Sequence, residues 1–241
     1  MRVDDTDGHV PALGIRSQSR SELHLALALL MTSVAGFLDA VGFTHLAGLY
    51  VSFMSGNSTR LGIAIAQGDR QIFLPVALVI FSFVFGAFLG TLISEIVERF
   101  KCAAILAIEI GLLVSAIVLT RYVEGYLGLL PVCAAMGMQN AAHETVAGVE
   151  IGKSFVTGFL FGLGKALAQL VHGGGSRPQA LVYGASWVSF LGGVTLGCLA
   201  LAQFGLSIAL CTACTVLAGL AIGAVLDQRR PLEPAPRSLP G

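Results

Sequence analysis

Long apolar runs separated by short polar punctuation dominate the chain. A bilayer-crossing helix needs about 20 mostly apolar residues, and six stretches meet or approach that length: 23–46, 72–97, 103–120, 126–149, 180–202 and 204–226. Two others, 49–66 and 155–171, are shorter or interrupted. The first holds the unbroken polar or glycine run Ser55-Gly56-Asn57-Ser58-Thr59-Arg60, and the second holds Thr157-Gly158, Gly162 and Gly164-Lys165. The pattern predicts an all-α polytopic membrane protein with one membrane domain over 23–226. Residues 1–22 read as a polar tail, and the Pro-rich 227–241 as a disordered one. The acidic start and the long run from Leu23 do not fit a cleaved signal peptide, so that run is expected to stay as the first membrane segment.

The two interrupted segments match each other. Aligning 52–67 with 154–169 makes 8 of 16 positions identical at a constant offset of 102, where about two are expected by chance in so biased a composition. Gly36-x-x-Asp39-Ala40 faces Gly137-x-x-Asn140-Ala141, and Ser82-Phe83-x-x-Gly86-x-x-Leu89-Gly90 faces Ser189-Phe190-x-x-Gly193-x-x-Leu196-Gly197. One collinear order across three segments predicts two internal repeats, near 20–122 and 123–227. Many glycines recur every four residues, as in Gly86/Gly90 and Gly193/Gly197. That spacing lets helices approach closely in lipid and is structural rather than diagnostic of a substrate.

Two topologies are compatible with this pattern. If the interrupted segments cross, there are eight spans and the repeats are parallel. If they dip in and return, there are six spans plus two short broken or re-entrant segments, and the second repeat is inverted, as in many transporters. The reading favours six. Both counts put the excess of Lys and Arg on the side of the two tails, so both termini are expected in the cytoplasm and the protein in a bacterial inner membrane.

Charge narrows the picture further. Charged residues make up 12% of the 241, against about 25% in a typical soluble domain. The 14 basic and 14 acidic residues cancel, which excludes an ordinary soluble globule and a nucleic-acid binder. The cysteines, at 102, 133, 198, 211 and 214, are odd in number and sit in or beside apolar runs. They are expected to be packing residues rather than a disulfide framework, Cys211-x-x-Cys214 included.

Ionisable and amide side chains inside apolar segments mark functional sites by default. Asp39 lies deep in the first segment and Arg60 in the second, where they are expected either to pair structurally or to act together on an anionic group. Lys165 is the basic counterpart in the second repeat. Gln139, Asn140, His143 and Glu144 make a polar stretch, and Glu109, His45 and His143 are expected near the interface. Ser55-Gly56-Asn57 and Thr157-Gly158 are expected either to unwind the helix and expose ligand groups or to mark tight glycine crossings. Gly162-x-Gly164-Lys165 fails as a phosphate loop, because Ala166 stands where Ser or Thr is required. No catalytic constellation, metal cluster or cofactor motif is present in the sequence.

Gly36-x-x-Asp39-Ala40, Met54-Ser55-Gly56-Asn57 with Leu61-Gly62, Gly137-x-Gln139-Asn140 and Thr157-Gly158 resemble the YoaK-type bacterial membrane proteins over roughly 23–226. The resemblance implies a six-spanning inner-membrane protein of transporter type and brings no substrate, cofactor or site residue. Phe159 replaces the amide of the first motif, which breaks the equivalence of the two glycine sites. The functional expectation is non-enzymatic movement of a small polar or anionic solute between the repeats. Asp39, Ser55, Gly56, Asn57, Arg60, Gln139, Asn140, Thr157, Gly158 and Lys165 are the candidate site. The alternatives are a scaffold or partner-binding membrane protein and, further off, a membrane-embedded enzyme. Expected partners are the bilayer, a small solute and, as an open option, a second copy of the chain.

Overall fold

The computed structural model describes residues 12–46, 48–97, 100–123, 125–142, 144–146, 149–151 and 156–228. Most of the two tails, His143 and the segment 152–155 lie outside the described residues. Seven helices follow in order: α1 (Ala12–His45), α2 (Met54–Gln67), α3 (Arg70–Ile96), α4 (Lys101–Leu119), α5 (Leu130–Gln139), α6 (Val156–Val171) and α7 (Arg177–Gln228). A short 3-10 turn, Gly125–Leu129, leads into α5. One small antiparallel ladder, β1 (Glu144–Val146) with β2 (Val149–Ile151), interrupts the helical pattern before α6. Its β-branched Thr145, Val146, Val149 and Ile151 suit extended backbone.

Among the described residues, four helices are long and apolar enough to cross a membrane: Glu22–His45 of α1, α3, α4 and α7. Helix α7 runs for 52 residues, about 78 Å if straight, more than twice the hydrocarbon core. It bends at Gly205, where φ is 77° and ψ is 174°, values closed to a side chain. The arms 177–204 and 206–228 are therefore two helices. By contrast α2, α5 and α6 have 14, 10 and 16 residues, about 15–24 Å each, too short to cross alone.

Three expectations change here. Helix α1 begins at Ala12, so helical backbone reaches well into the polar stretch before residue 22. The segment 126–149 is not one spanning helix. It stops at Gln139, where the N–H groups of Ala141 and Ala142 turn back on Met138 and Gln139. Nor do the glycines at 56 and 158 unwind a helix. Ser55-Gly56-Asn57 and Thr157-Gly158 sit in the helical first turns of α2 and α6. The chain is irregular just ahead of α2, over 48–53, where Gly48 has φ +86°.

Leu38, Ile105, Leu106, Leu113, Leu129 and Met136 lie fully buried at the centre. The outside is just as apolar: Phe81, Phe88, Leu181 and Val188 are largely exposed. A core that is no more hydrophobic than the surface is the signature of a protein dissolved in lipid. Helix α1 is the enclosed span, 67% of its apolar window buried, while α3 is peripheral at 17%.

Two helix seams carry the packing, α1 on α7 and α3 on α5. They use corresponding residues. Ser189 donates to the Leu29 carbonyl at 2.6 Å, and Ser82 donates to the Leu130 carbonyl at 2.7 Å. A Cβ on Gly193 would collide with the Ser33 backbone, and one on Gly86 with the Ala134 backbone. A Cβ on Gly36 would strike the Phe190 carbonyl, and one on Gly137 the Phe83 carbonyl. Backbones meet at van der Waals distance in both seams because glycine faces glycine-sized gaps from each side.

Candidate functional site

The site grows from the end of α1. Asp39 is 4% exposed, and its carboxylate is claimed by the returning chain. Oδ1 accepts from the Val51 N–H at 2.9 Å and the Ser52 N–H at 2.8 Å, and Oδ2 accepts from Ser52 Oγ at 2.6 Å. Hydrogen bonds to an ionised acceptor are worth about 1.5–3 kcal/mol each. One side chain therefore anchors the returning chain at Val51 and Ser52.

Asn57, in the first turn of α2, closes the same loop from the other side. Its Nδ2 donates to the Tyr50 carbonyl at 2.7 Å, and its Oδ1 accepts from the Tyr50 N–H at 3.0 Å. The amide thus pairs with a peptide unit as a neighbouring strand would. The Tyr50 ring sits between Phe43 and Phe53, with centroids 4.8 and 5.0 Å away. Residues 50–53 become a rigid strap, aromatic on its outer side.

This strap walls a cavity of about 440 Å³ between α1, α6 and the 177–204 arm of α7. Asp39, Thr44, Tyr50, Thr157 and Cys198 bring polar atoms to a largely apolar lining. Phe53, the residue before α2, and Val156 and Thr157, which open α6, all border it. The N-terminal ends of both short helices therefore meet the same space. No side chain caps the first turn of α2. The Met54 N–H there is taken by the Ser52 carbonyl at 3.0 Å, and helix starts carry partial positive charge through their remaining N–H groups.

The remaining candidates lie elsewhere. Arg60 does not pair with Asp39, whose oxygens are taken by Val51 and Ser52. It lines a second pocket of about 270 Å³ with His45, Gln71 and Tyr126. Ser55 is exposed, as are Gly158 and Lys165, and none of the three lines the first cavity. Asn140 is half-buried and donates to the Met136 carbonyl at 2.8 Å, a local helix-end bond. The structure thus gathers Asp39, Asn57 and Thr157 around one strap and cavity, and separates Arg60, Gln139 and Lys165 from it.

Gln139 has a partner that sequence reasoning placed at the interface. Glu109, in the middle of α4, is fully buried, and Gln139 Nε2 donates to its Oε1 at 3.2 Å. The signal was available: an acid flanked by Ile108 and Ile110 within an otherwise apolar helix marks a group that the protein interior must solvate. Ser52 was missed as well, for lack of any local pattern linking it to Asp39. Among the described residues no group of three or more His, Cys, Asp or Glu is placed to hold a metal ion, and the five cysteines are free thiols.

These features define a polytopic helical membrane protein whose interior holds isolated polar nodes. Its residues 27–223 match a family described as protein of unknown function (DUF1275), and the chain belongs to that family. A UPF0700 transmembrane protein of Rhizobium meliloti (strain 1021) is 32% identical over 191 residues, covering 79% of this chain and 82% of the relative. No solved structure matches the chain.

Proposed function

We propose that the protein moves a small polar or anionic solute across a bacterial inner membrane, with the cavity beside the strap as its binding site. The observation that carries this reading is the meeting of two short-helix N-termini at that one cavity. Helix ends of this kind stabilise negative charge and oriented hydrogen-bond acceptors without introducing a fixed cation. Asp39 holds the strap that shapes the cavity, Thr157 offers a hydroxyl inside it, and the aromatic strap covers the solute. Arg60 supplies positive charge at the neighbouring pocket instead of clamping the solute directly.

The matched seams support a two-repeat design. Helices α1 and α5 are corresponding elements, and each packs on the long helix of the other repeat. Helices α2 and α6 correspond too, and neither is long enough to cross alone. In this reading they are re-entrant, the repeats are inverted, and both tails are cytoplasmic. Motion between the two seams would open the cavity to one side and then the other. Of the motifs that resemble YoaK-type proteins, those at Asp39, Asn57 and Thr157 lie around this cavity, while Gly137-x-Gln139-Asn140 lies apart from it. No covalent chemistry is assigned to the protein.

Uptake profiling tests the proposal. Cells lacking the protein, cells carrying it, and cells carrying Thr157→Trp are offered a pool of labelled small polar metabolites. At least one solute should accumulate only with the unaltered protein, because the indole fills the cavity from an exposed position and leaves the core intact. Indistinguishable profiles in all three strains would reject transport.

A further inference from the structure

Glu109 and Gln139 form a second interior node, set among the apolar side chains of α4, α5 and α7. Both residues are fully buried. One hydrogen bond joins them, from Gln139 Nε2 to Glu109 Oε1. The other two oxygens of the pair, Glu109 Oε2 and Gln139 Oε1, have no partner. Buried polar atoms are almost always satisfied, so two orphans on one contacting pair need a physical reason.

Proton arithmetic supplies it. A carboxylate only accepts hydrogen bonds, and a carboxamide oxygen also only accepts. Two acceptors at the same node cannot satisfy each other. A proton on Glu109 Oε2 turns one of them into a donor whose natural acceptor is Gln139 Oε1. The amide and the acid then form a closed ring with two antiparallel hydrogen bonds, and a single proton removes both orphans. It also removes a bare negative charge from the membrane interior, where an unpaired carboxylate is costly.

We propose that Glu109 is a proton-binding site, with Gln139 as the group that holds the proton in place, and that this site couples proton movement to the transport cycle. The coupling clause rests on the transport reading; the proton site does not. The proton comes from water on one side of the membrane, adds to the Oε2 lone pair, and returns to water on the other side, so no further reactant is involved.

The surroundings favour a proton over a metal cation. A sodium or divalent ion needs several oxygen ligands, and this node offers two unsatisfied oxygens. The elements packed on α4 are α3, α5, α7 and the 3-10 turn. Their titratable groups away from the helix ends are the buried thiol Cys133 on α5 and, on α7, the half-buried Tyr183 and Cys214 and the exposed Cys198 and Cys211, with Cys214 within electrostatic reach of Glu109. Arg70, Glu95, Arg177 and Asp227 stand at or near helix ends, as does Lys101 of α4 itself, and Tyr126 lies on the 3-10 turn. No cation comes from these elements at the depth of Glu109.

The position of Gln139 explains how the proton would be released. It is the last residue of α5, next to the turn at 140–142, and its neighbour Met138 sits against Gly90 in the α3–α5 seam. Sliding α5 along that seam carries the amide away from Glu109. The acid then loses its ring partner and is opened to ionisation by water.

Infrared spectroscopy of the purified full-length protein in liposomes reads the proton without a substrate. A protonated-carboxyl band is expected at neutral pH that is absent from Glu109→Gln, an isosteric replacement for the neutral acid. In Gln139→Leu the band should persist and move to higher frequency, because the ring bond is gone. Carboxyl-labelled glutamate should shift the same band, which keeps the test valid without any variant. Addition of sodium or potassium at fixed pH should leave it unchanged. A spectrum with no glutamate acid band at neutral pH overturns the proposal, as does a band erased by sodium, which would make this a cation site. Failure of the uptake profiles with the band intact would reject transport and leave the proton site standing.

Discussion

Among the described residues two acids, Asp39 and Glu109, are buried, and their surroundings could hardly differ more. Asp39 accepts three hydrogen bonds at 2.6–2.9 Å from one short stretch of chain. Glu109 accepts one at 3.2 Å and leaves its second oxygen and that of its partner unmatched. The first is a finished structural joint, whose donors include two backbone N–H groups that have no helix or strand to pair in. The second is an unfinished node between side chains on different helices. Burial alone therefore does not say what an acid does in a membrane interior. The bookkeeping of donors and acceptors does.

The largest expected effect comes from breaking the finished joint. Asp39→Leu leaves the N–H groups of Val51 and Ser52 and the Ser52 hydroxyl buried without partners. Each orphan costs about 1–3 kcal/mol, so the variant should lose roughly 4 kcal/mol or fail to accumulate. Asp39→Asn keeps an acceptor and should lose less than half as much. Reversible unfolding in detergent micelles against increasing denaturant separates the two. Equal stability of Asp39→Leu and the parent would mean the strap does not depend on this carboxylate.

The second clamp on the strap should be next. Asn57→Ala frees both the N–H and the carbonyl of Tyr50, and it should cost about 2 kcal/mol by the same measure. Tyr50 lies between Phe43 and Phe53, so loss of the clamp should also loosen the ring cluster and raise tyrosine accessibility to a polar quencher. An unchanged quenching curve would place the rigidity of the strap in its aromatic contacts instead.

Within the joint, Ser52→Ala should cost about 1 kcal/mol, since the two backbone donors still hold Asp39. A double-mutant cycle of Ser52→Ala with Asp39→Asn should show coupling above about 0.5 kcal/mol. Strict additivity would mean that the short hydroxyl contact contributes no net energy.

How much of this was legible in the sequence follows the same division. Apolar length revealed the membrane class, because lipid imposes one period on every span. The recurring Gly-x-x-x-Gly spacing pointed to the seams, although only the structure shows α1 packing on α7 and α5 on α3. Asp39 stood out as a charge in apolar surroundings, and Asn57 as part of a polar run interrupting an apolar segment. Their partners did not, because Val51 and Tyr50 contribute backbone groups that no side-chain pattern encodes. Of the two readings open for Ser55-Gly56-Asn57, a break or a tight crossing, the break falls a few residues earlier. The loop ends just before it, since hydroxyl and amide residues such as Ser55 and Asn57 in a first turn can stay helical while serving what precedes them. Glu109 was misplaced toward the interface because distance along an apolar run was taken for depth in the membrane. The 3-10 turn and the early end of α5 then bring Gln139 beside it, a tertiary fact with no local signal. Arg60 and Asp39 looked like a pair for want of better partners; the strap supplied Asp39 with them.

The smallest stability effect is expected where the polar node is removed whole. Glu109→Leu alone strands the Gln139 amide and should cost about 1–2 kcal/mol, and Gln139→Leu alone strands the acid and should cost a similar amount. The double variant Glu109→Leu/Gln139→Leu strands nothing. It replaces four buried polar atoms, two of them unsatisfied, with aliphatic groups of similar bulk beside Leu106 and Leu113. Replacing a buried polar pair by well-packed apolar residues is often neutral or stabilising, so the double variant should unfold within about 0.5 kcal/mol of the parent. The same operation on Asp39 has no such rescue, because two of its three donors are main-chain groups that no substitution deletes. Finding the double variant as unstable as Asp39→Leu would erase the distinction between the two acids and make Glu109 a structural joint as well.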